Sequence, residues 1–314
     1  MPVSQGFARA LVTQAVQKGV SVMRNLKANL LELIRRTSAE LPDDVVETVA
    51  RYAKQERDGS NAQYAMSIIV KNIDMAKVKS APLCQDTGSI LFFVRSPKGF
   101  DQLAFEKAAA DAVAEATAKG YLRQNSVDSV TGKNTGNNLG PGSPSIHFHQ
   151  HRGTRADVRL ILKGGGCENV GAQYSLPDTR INANRDLDGV RKAILDAVLQ
   201  AQGKGCGPGI LGVCIGGDRA TGYLHSKEQL LRTMDDVNPN PALAALEQDV
   251  VASANKLGIG PMGFGGATTL LGCKIGALNR LPASFFVSIS YMCWAYRRQG
   301  FVLNDSGTIV QWLY

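Results

Sequence analysis

Pro82-Leu83-Cys84-Gln85-Asp86-Thr87-Gly88, followed at once by Ile90-Leu91-Phe92-Phe93-Val94, is where the texture of this 314-residue chain changes. Upstream, Leu11, Val12, Val16, Val20, Met23, Leu26, Leu30, Leu31 and Ile34 recur at the spacing of one helix face. A second helix is expected to open near Pro42-Asp43-Asp44, because proline and acids suit a first helical turn. A third is expected over roughly Asn61 to Val78. Residues 1–80 therefore read as an N-terminal helical cap.

Downstream, short apolar runs at Ile90 to Val94, Ile146 to His149, Val158 to Leu162 and Ile210 to Ile215 have the length and composition of strands. They alternate with helical stretches near 101–119, 186–202 and 241–256. The expected fold class is α/β, with mixed sheets, surrounding helices and the helical cap in front. Residues 81–314 form its second part. Glycine-rich connections at Gly164-Gly165-Gly166, Gly205 to Gly209, Gly216-Gly217 and Gly258 to Gly266 are places where backbone turns tightly or approaches a ligand.

Composition narrows the function classes. With 44% hydrophobic and 20% charged residues the chain is globular rather than disordered. No run of 18 apolar residues occurs, and Met1-Pro2-Val3-Ser4-Gln5 does not open a secretory signal, so neither a membrane span nor export is expected, and the location is expected to be cytoplasmic. The net charge of +8 points to an anionic partner or substrate. The basic residues are scattered and not interleaved with aromatics, so nucleic acid is not the expected partner. The six cysteines, at 84, 167, 206, 214, 273 and 293, include no Cys-x-x-Cys pair and read as reduced thiols.

Several local patterns compete for a functional reading. Gly258-Ile259-Gly260-Pro261-Met262-Gly263 matches the Gly-x-Gly-x-x-Gly dinucleotide pattern, which would make a nucleotide-binding oxidoreductase. That motif needs a strand before it and a helix after it, and here a helical stretch precedes and a strand-like run follows. His147, His149 and His151 alternate along a strand-like segment and share one face, a spacing that suits either a metal or a polar strand face. Cys214 and Cys273 lie inside apolar runs and read as core thiols. Cys84 and Cys206 lie in polar or Gly/Pro-rich turns, and Cys293 stands beside Trp294 and Arg297-Arg298. Turns free backbone amides to face a sulfur-bound anion. Their separation is far beyond any local ferredoxin pattern, so spacing alone does not make them ligands. Within Cys84 to Gly88, a thiol, an amide, a carboxylate and a hydroxyl stand side by side, a set able to bind metal, orient a carboxylate and move a proton.

Six ordered segments carry a resemblance over nearly the whole chain: Pro82 to Gly88, Lys133-Asn134-Thr135-Gly136, Lys163 to Gly166, Cys206-Gly207-Pro208-Gly209, Gly260-Pro261-Met262-Gly263-Phe264-Gly265-Gly266 and Cys293-Trp294-Ala295. In these the chain resembles the α component of class I fumarate hydratase and the related L(+)-tartrate dehydratase. The resemblance implies a 4Fe-4S cluster held by three cysteines, which map onto Cys84, Cys206 and Cys293, with the fourth iron open. It places Gln85 and Asp86 at the substrate, Asp86 also as the proton-transfer group, and Arg123 as a carboxylate clamp. Gly165 within the triple glycine lets backbone approach the substrate.

The implied reaction is reversible dehydration of a C4 2-hydroxy dicarboxylate, malate to fumarate or L-tartrate to oxaloacetate. Cys167 departs from the Gly-Gly-Gly-Ser of many fumarases and tilts the substrate toward tartrate. Single-chain members continue into a second domain that supplies further substrate residues. A separate β subunit is therefore expected to complete the active site, in an α2β2 assembly. A non-catalytic iron-sulfur sensor is the alternative from another function class.

Overall fold

The computed structural model describes residues 25–314; the apolar positions Leu11 to Met23 of the first expected helix lie outside them. Three helices open the described chain: α1 over 25–39, α2 over Asp43–Ala53 and α3 over Asn61–Lys79. Helix α2 begins where expected, with Asp43 and Asp44 in its first turn, favourably placed at the positive end of the helix dipole. Helix α3 is capped by Ser60, whose hydroxyl accepts from the Gln63 N–H at 3.1 Å.

Two mixed sheets follow. The first has the order β2-β1-β3-β8-β9, from Ser145–Gln150, Ser89–Ser96, Ala156–Lys163, Arg298–Leu303 and Ile309–Trp312. The second has the order β4-β7-β5-β6, from Ala172–Ser175, Phe286–Met292, Gly209–Ile215 and Leu270–Ala277. Each sheet holds one parallel pair, β1 with β2 and β5 with β6, and its remaining pairs are antiparallel. The helices between them are α4 (Gln102–Ala118), α5 (Gly165–Asn169), α6 (Leu187–Ala201), α7 (Arg219–Gln229) and α8 (Pro241–Asn255).

Strand β1 shows why the apolar run Ile90 to Val94 is continuous. Successive side chains of a strand point to opposite faces. Ile90, Phe92 and Val94 enter a core with α1 and α4, while Leu91 and Phe93 enter a second core shared with α2, α3 and the other sheet. Both faces are buried, so no polar alternation is left. A third core packs α6 and α8 on the second sheet. The middle core is the one that adjoins the candidate site, because Cys167 and Cys293 belong to it and Cys206 packs against it.

The helical cap is fastened to the loops by polar contacts at three places. The Leu83 peptide donates its N–H to the Ser38 carbonyl at 2.9 Å and accepts from Asn72 Nδ2 at 3.0 Å, so α1 and α3 hold the residue before Cys84 from both sides. The buried Glu56 carboxylate accepts from the N–H groups of Ala267 and Thr268, at 2.9 and 2.8 Å. Asp44 pairs with the fully buried Arg298 at the start of β8 and accepts from the Met234 N–H.

Candidate active site

Gly88 sets the geometry of the Cys84 to Gly88 turn. It has a φ of 77°, and an added Cβ would overlap the Lys163 carbonyl and the Gly164 nitrogen. The turn therefore lies directly on the Lys163-Gly164-Gly165-Gly166 segment. Asp86 reaches across this contact: its Oδ2 accepts from the Gly165 N–H at 2.7 Å and its Oδ1 from the Gly88 N–H at 2.8 Å. Two of the predicted substrate residues, Asp86 and Gly165, are thus joined by a hydrogen bond. The Asp86 N–H in turn points at Cys84 Sγ, at 3.4 Å.

Arg123 is tied to the same turn through its backbone. The Thr87 hydroxyl and the Arg123 peptide exchange hydrogen bonds at 2.9 and 2.8 Å, and the Thr87 N–H donates to Asn125 Oδ1 at 3.0 Å. Asn138, buried and left-handed at φ 61°, braces this loop by accepting from the N–H groups of Asn125 and Ser126 and donating to the Arg123 carbonyl. The side chains of Arg123 and Gln85 are exposed at the rim, and neither makes a hydrogen bond among the described residues.

Cys206 arrives from the other sheet. It follows α6 and precedes β5, with a φ of 54°, an uncommon conformation for a residue with a Cβ. The glycines around it leave room for the buried ring of Tyr291 on β7, which an added Cβ at Gly205 or Gly209 would overlap. Burial pushes the Cys206 thiol up, and the nearby Cys167, Cys84 and Asp86 push it the same way. Cys293 directly follows β7, buried beside Cys167. The close pairing of the two thiols holds Cys167 down, to about 7, and Cys293 well above the ordinary thiol range. Lys163 and Arg297 pull Cys167 further down, against the effect of its burial. The three predicted ligands, far apart in sequence, are therefore neighbours in space, and Cys167 stands among them.

Two buried cations adjoin these thiols, and neither was among the candidate residues. Lys163 is fully buried and pairs with Glu168 at 3.0 Å; Lys227 holds the other Glu168 oxygen at 2.7 Å. Arg297, 1% exposed, has no hydrogen-bond partner for Nε or Nη1. In the sequence, Lys163 opens one of the six segments of the resemblance and Arg297 stands four places after Cys293, but neither position shows that it is buried.

Among the described residues, no three His, Cys, Asp or Glu side chains converge on one point to hold a single metal ion. A lone ion requires donors within about 2.0–2.3 Å of it. The thiolates of an iron-sulfur cluster bind separate irons, so its ligands need not converge in that way. The orphaned nitrogens of Arg297 fit an anionic group at these thiols, and a thiolate-ligated cluster is such a group.

The remaining patterns resolve into structural roles. His147 stacks on Phe93 and contacts the Ser145 hydroxyl, His149 pairs with Glu228, and His151 contacts the Arg155 carbonyl. Cys214 and Cys273 are buried in β5 and β6, as expected. The Gly258 to Gly263 segment follows α8 and leads toward β6, the reverse of the dinucleotide order, and its Met262 N–H bonds the Gly207 carbonyl at 3.0 Å. It buttresses the Cys206 loop.

The profile of the fumarate hydratase (Fumerase) family matches residues 27–302. A Geobacillus stearothermophilus protein named as a class I fumarate hydratase is 51% identical over 296 residues, 93% of this chain but 58% of that relative. The L(+)-tartrate dehydratase subunit alpha of Escherichia coli K12 is 31% identical over 284 residues, 90% of this chain and 91% of the relative. This chain thus spans little more than half of the first relative and nearly all of the second. The chain belongs to the fumarate hydratase (Fumerase) family.

Proposed function

We propose that this chain is the α subunit of a hydro-lyase that removes water reversibly from a C4 2-hydroxy dicarboxylate, L-tartrate or malate. The observation that carries the reading is the meeting of Cys84, Cys206 and Cys293 beside the Asp86 to Gly165 hydrogen bond. These thiols are the proposed ligands of a 4Fe-4S cluster. When bound, the cluster supplies an iron with a free position, a Lewis acid toward the hydroxyl that leaves.

The protein side chains have the complementary tasks. Asp86, its orientation fixed by the Gly88 and Gly165 N–H groups, takes the proton from the carbon beside a substrate carboxylate. The electron pair of that C–H bond becomes the new double bond as hydroxide departs. Negative charge grows on the adjacent carboxylate during this step. Arg123, exposed and without a carboxylate partner among the described residues, offers a planar pair of donors to it. Gln85 lines the same rim and fixes the substrate by its amide.

The site is open on the side of Gln85, Arg123 and Gly165, all exposed. A separate β subunit is proposed to cover it, in an α2β2 assembly in the cytoplasm. The name of the tartrate dehydratase relative, a subunit of nearly the same length, supports this reading. Among the described residues no helix is long and apolar enough to cross a membrane.

The test is anaerobic reconstitution with iron and sulfide together with a β-type partner, followed by assays with malate, fumarate and both tartrates. Turnover of one of them is expected, and its absence in the α chain alone. A fully loaded complex that turns over none of the four would contradict the hydro-lyase reading.

A further inference from the structure

Arg297 carries a positive charge that no ion pair among the described residues neutralises. A guanidinium stays protonated at any pH the protein meets. Burying it without a counter-charge is strongly unfavourable. Other buried cations nearby avoid this cost: Lys163 pairs with Glu168, and Arg298 with Asp44. Arg297 forms no ion pair with the described residues, its Nε and Nη1 are unpartnered, and residues 1–24 contain no aspartate or glutamate that might reach it.

The backbone shows what surrounds this cation. Residues 293–297 form the tight crossing from β7 to β8, with the Tyr296 N–H on the Trp294 carbonyl and the Arg297 N–H on the Ala295 carbonyl, both at 2.8 Å. The Arg297 carbonyl accepts from the Leu162 N–H at 3.0 Å, just before Lys163 and the triple glycine that leads to Cys167. Arg297 is therefore fixed between the segment that carries Cys293 and the one that carries Cys167.

We propose that Arg297 is the built-in counter-charge of the cysteine site, a positioning residue that holds the negative charge of a thiolate-ligated cluster in the core between the two sheets. This rests on the cluster reading above and adds to it a residue that neither binds iron nor touches substrate. The arrangement also explains why the cation is tolerated: its cost is borne by the unloaded protein and offset on loading.

The test compares wild type, Arg297→Lys and Arg297→Met, each unloaded and after anaerobic loading. In the loaded state, Arg297→Met should lose iron to a chelator about 10- to 100-fold faster than wild type, the usual scale for removing a supporting group around a metal site. Its cluster should also be harder to reduce, because a nearby positive charge favours the reduced form. Arg297→Lys, which keeps the charge, should recover most of both properties. In the unloaded state the sign reverses: Arg297→Met should melt at the same temperature as wild type or higher, since an uncompensated buried charge has been removed.

A residue that merely holds the fold gives the opposite result, so an unloaded Arg297→Met that melts lower, or does not fold, overturns the proposal. Equal iron loss and equal potential in loaded wild type and Arg297→Met also overturn it, while leaving the cluster reading intact. Wild type that takes up no iron and sulfide overturns both.

Discussion

The molecule keeps its thiols in two kinds of place. Cys214 and Cys273 lie in β5 and β6, neighbouring strands of one sheet, among apolar side chains. Burial, with the Glu228 carboxylate adding to it, pushes the Cys214 thiol up to about 12, and burial raises Cys273 as well. Such thiols stay protonated and inert. Cys84, Cys167, Cys206 and Cys293 lie where loops from both sheets meet. Cys167 and Cys293 are as buried as the strand thiols, yet Cys167 is held at about 7 by its thiol neighbour and by Lys163 and Arg297. Burial alone therefore does not set a thiol's state: the groups buried with Cys167 set it apart from the strand thiols.

Substitutions on the loop side should be costly in function, those on the strand side only in packing. The largest effect is expected for Asp86→Asn, which keeps the shape but sets an amide NH2 against one of the two N–H groups that hold the carboxylate. Turnover should fall about 10²- to 10⁴-fold while iron and sulfide content stay at the wild-type level. Full retained activity in a steady-state assay would remove Asp86 from proton transfer.

Next comes Gly88→Ala. A side chain at φ 77° pressed against Lys163 should cost about 3 kcal/mol or more in urea unfolding and part the Asp86 turn from Gly165. A smaller change should follow from Glu168→Gln, which removes the carboxylate between Lys163 and Lys227, at about 2 kcal/mol near neutral pH. Burial raises the Glu168 pKa but the two lysines outweigh it, so the folded value lies below the ordinary one. Its contribution is therefore complete above the unfolded value of about 4.3 and lost as pH falls through the folded value. The melting-temperature gap between wild type and Glu168→Gln should hold steady from pH 8 to 5 and narrow below 4. The smallest effect belongs to the strand side: Cys214→Ala should cost about 1 kcal/mol and leave cluster loading unchanged. Lost iron in that variant would erase the contrast between the two regions.

Much of the fold is legible in the sequence where burial leaves a period. Helices α3, α4, α6 and α8 and strands β1, β2, β3 and β5 lie where expected, and α2 opens where its proline and acids put it. Helix α7 escapes because its buried positions are Gly222 and Ser226, small residues that allow close packing on β5 but form no apolar stripe. Strand β8 escapes because it begins with Arg298 and Gln299, polar side chains buried against Asp44 and the Glu40 carbonyl.

The site divides in the same way. Local chemistry marks Cys84, Gln85 and Asp86 as a functional set, because all the groups are adjacent. Cys206 and Cys293 emerge as partners only through family resemblance, since three separate loops bring them in. Lys163 and Arg297 stand in or near the quoted motifs, but their sequence carries no sign of burial, and burial beside the thiols is what sets them apart.

The central claim is that Cys84, Cys206 and Cys293, and not the strand thiols, bind the cluster. Iron and acid-labile sulfide per chain, measured after anaerobic reconstitution of Cys84→Ser, Cys206→Ser, Cys293→Ser, Cys214→Ser and Cys273→Ser, test it most directly. The account predicts loss of the cluster in the first three and wild-type content in the last two. Normal content in the first three, or loss confined to the strand pair, would contradict it.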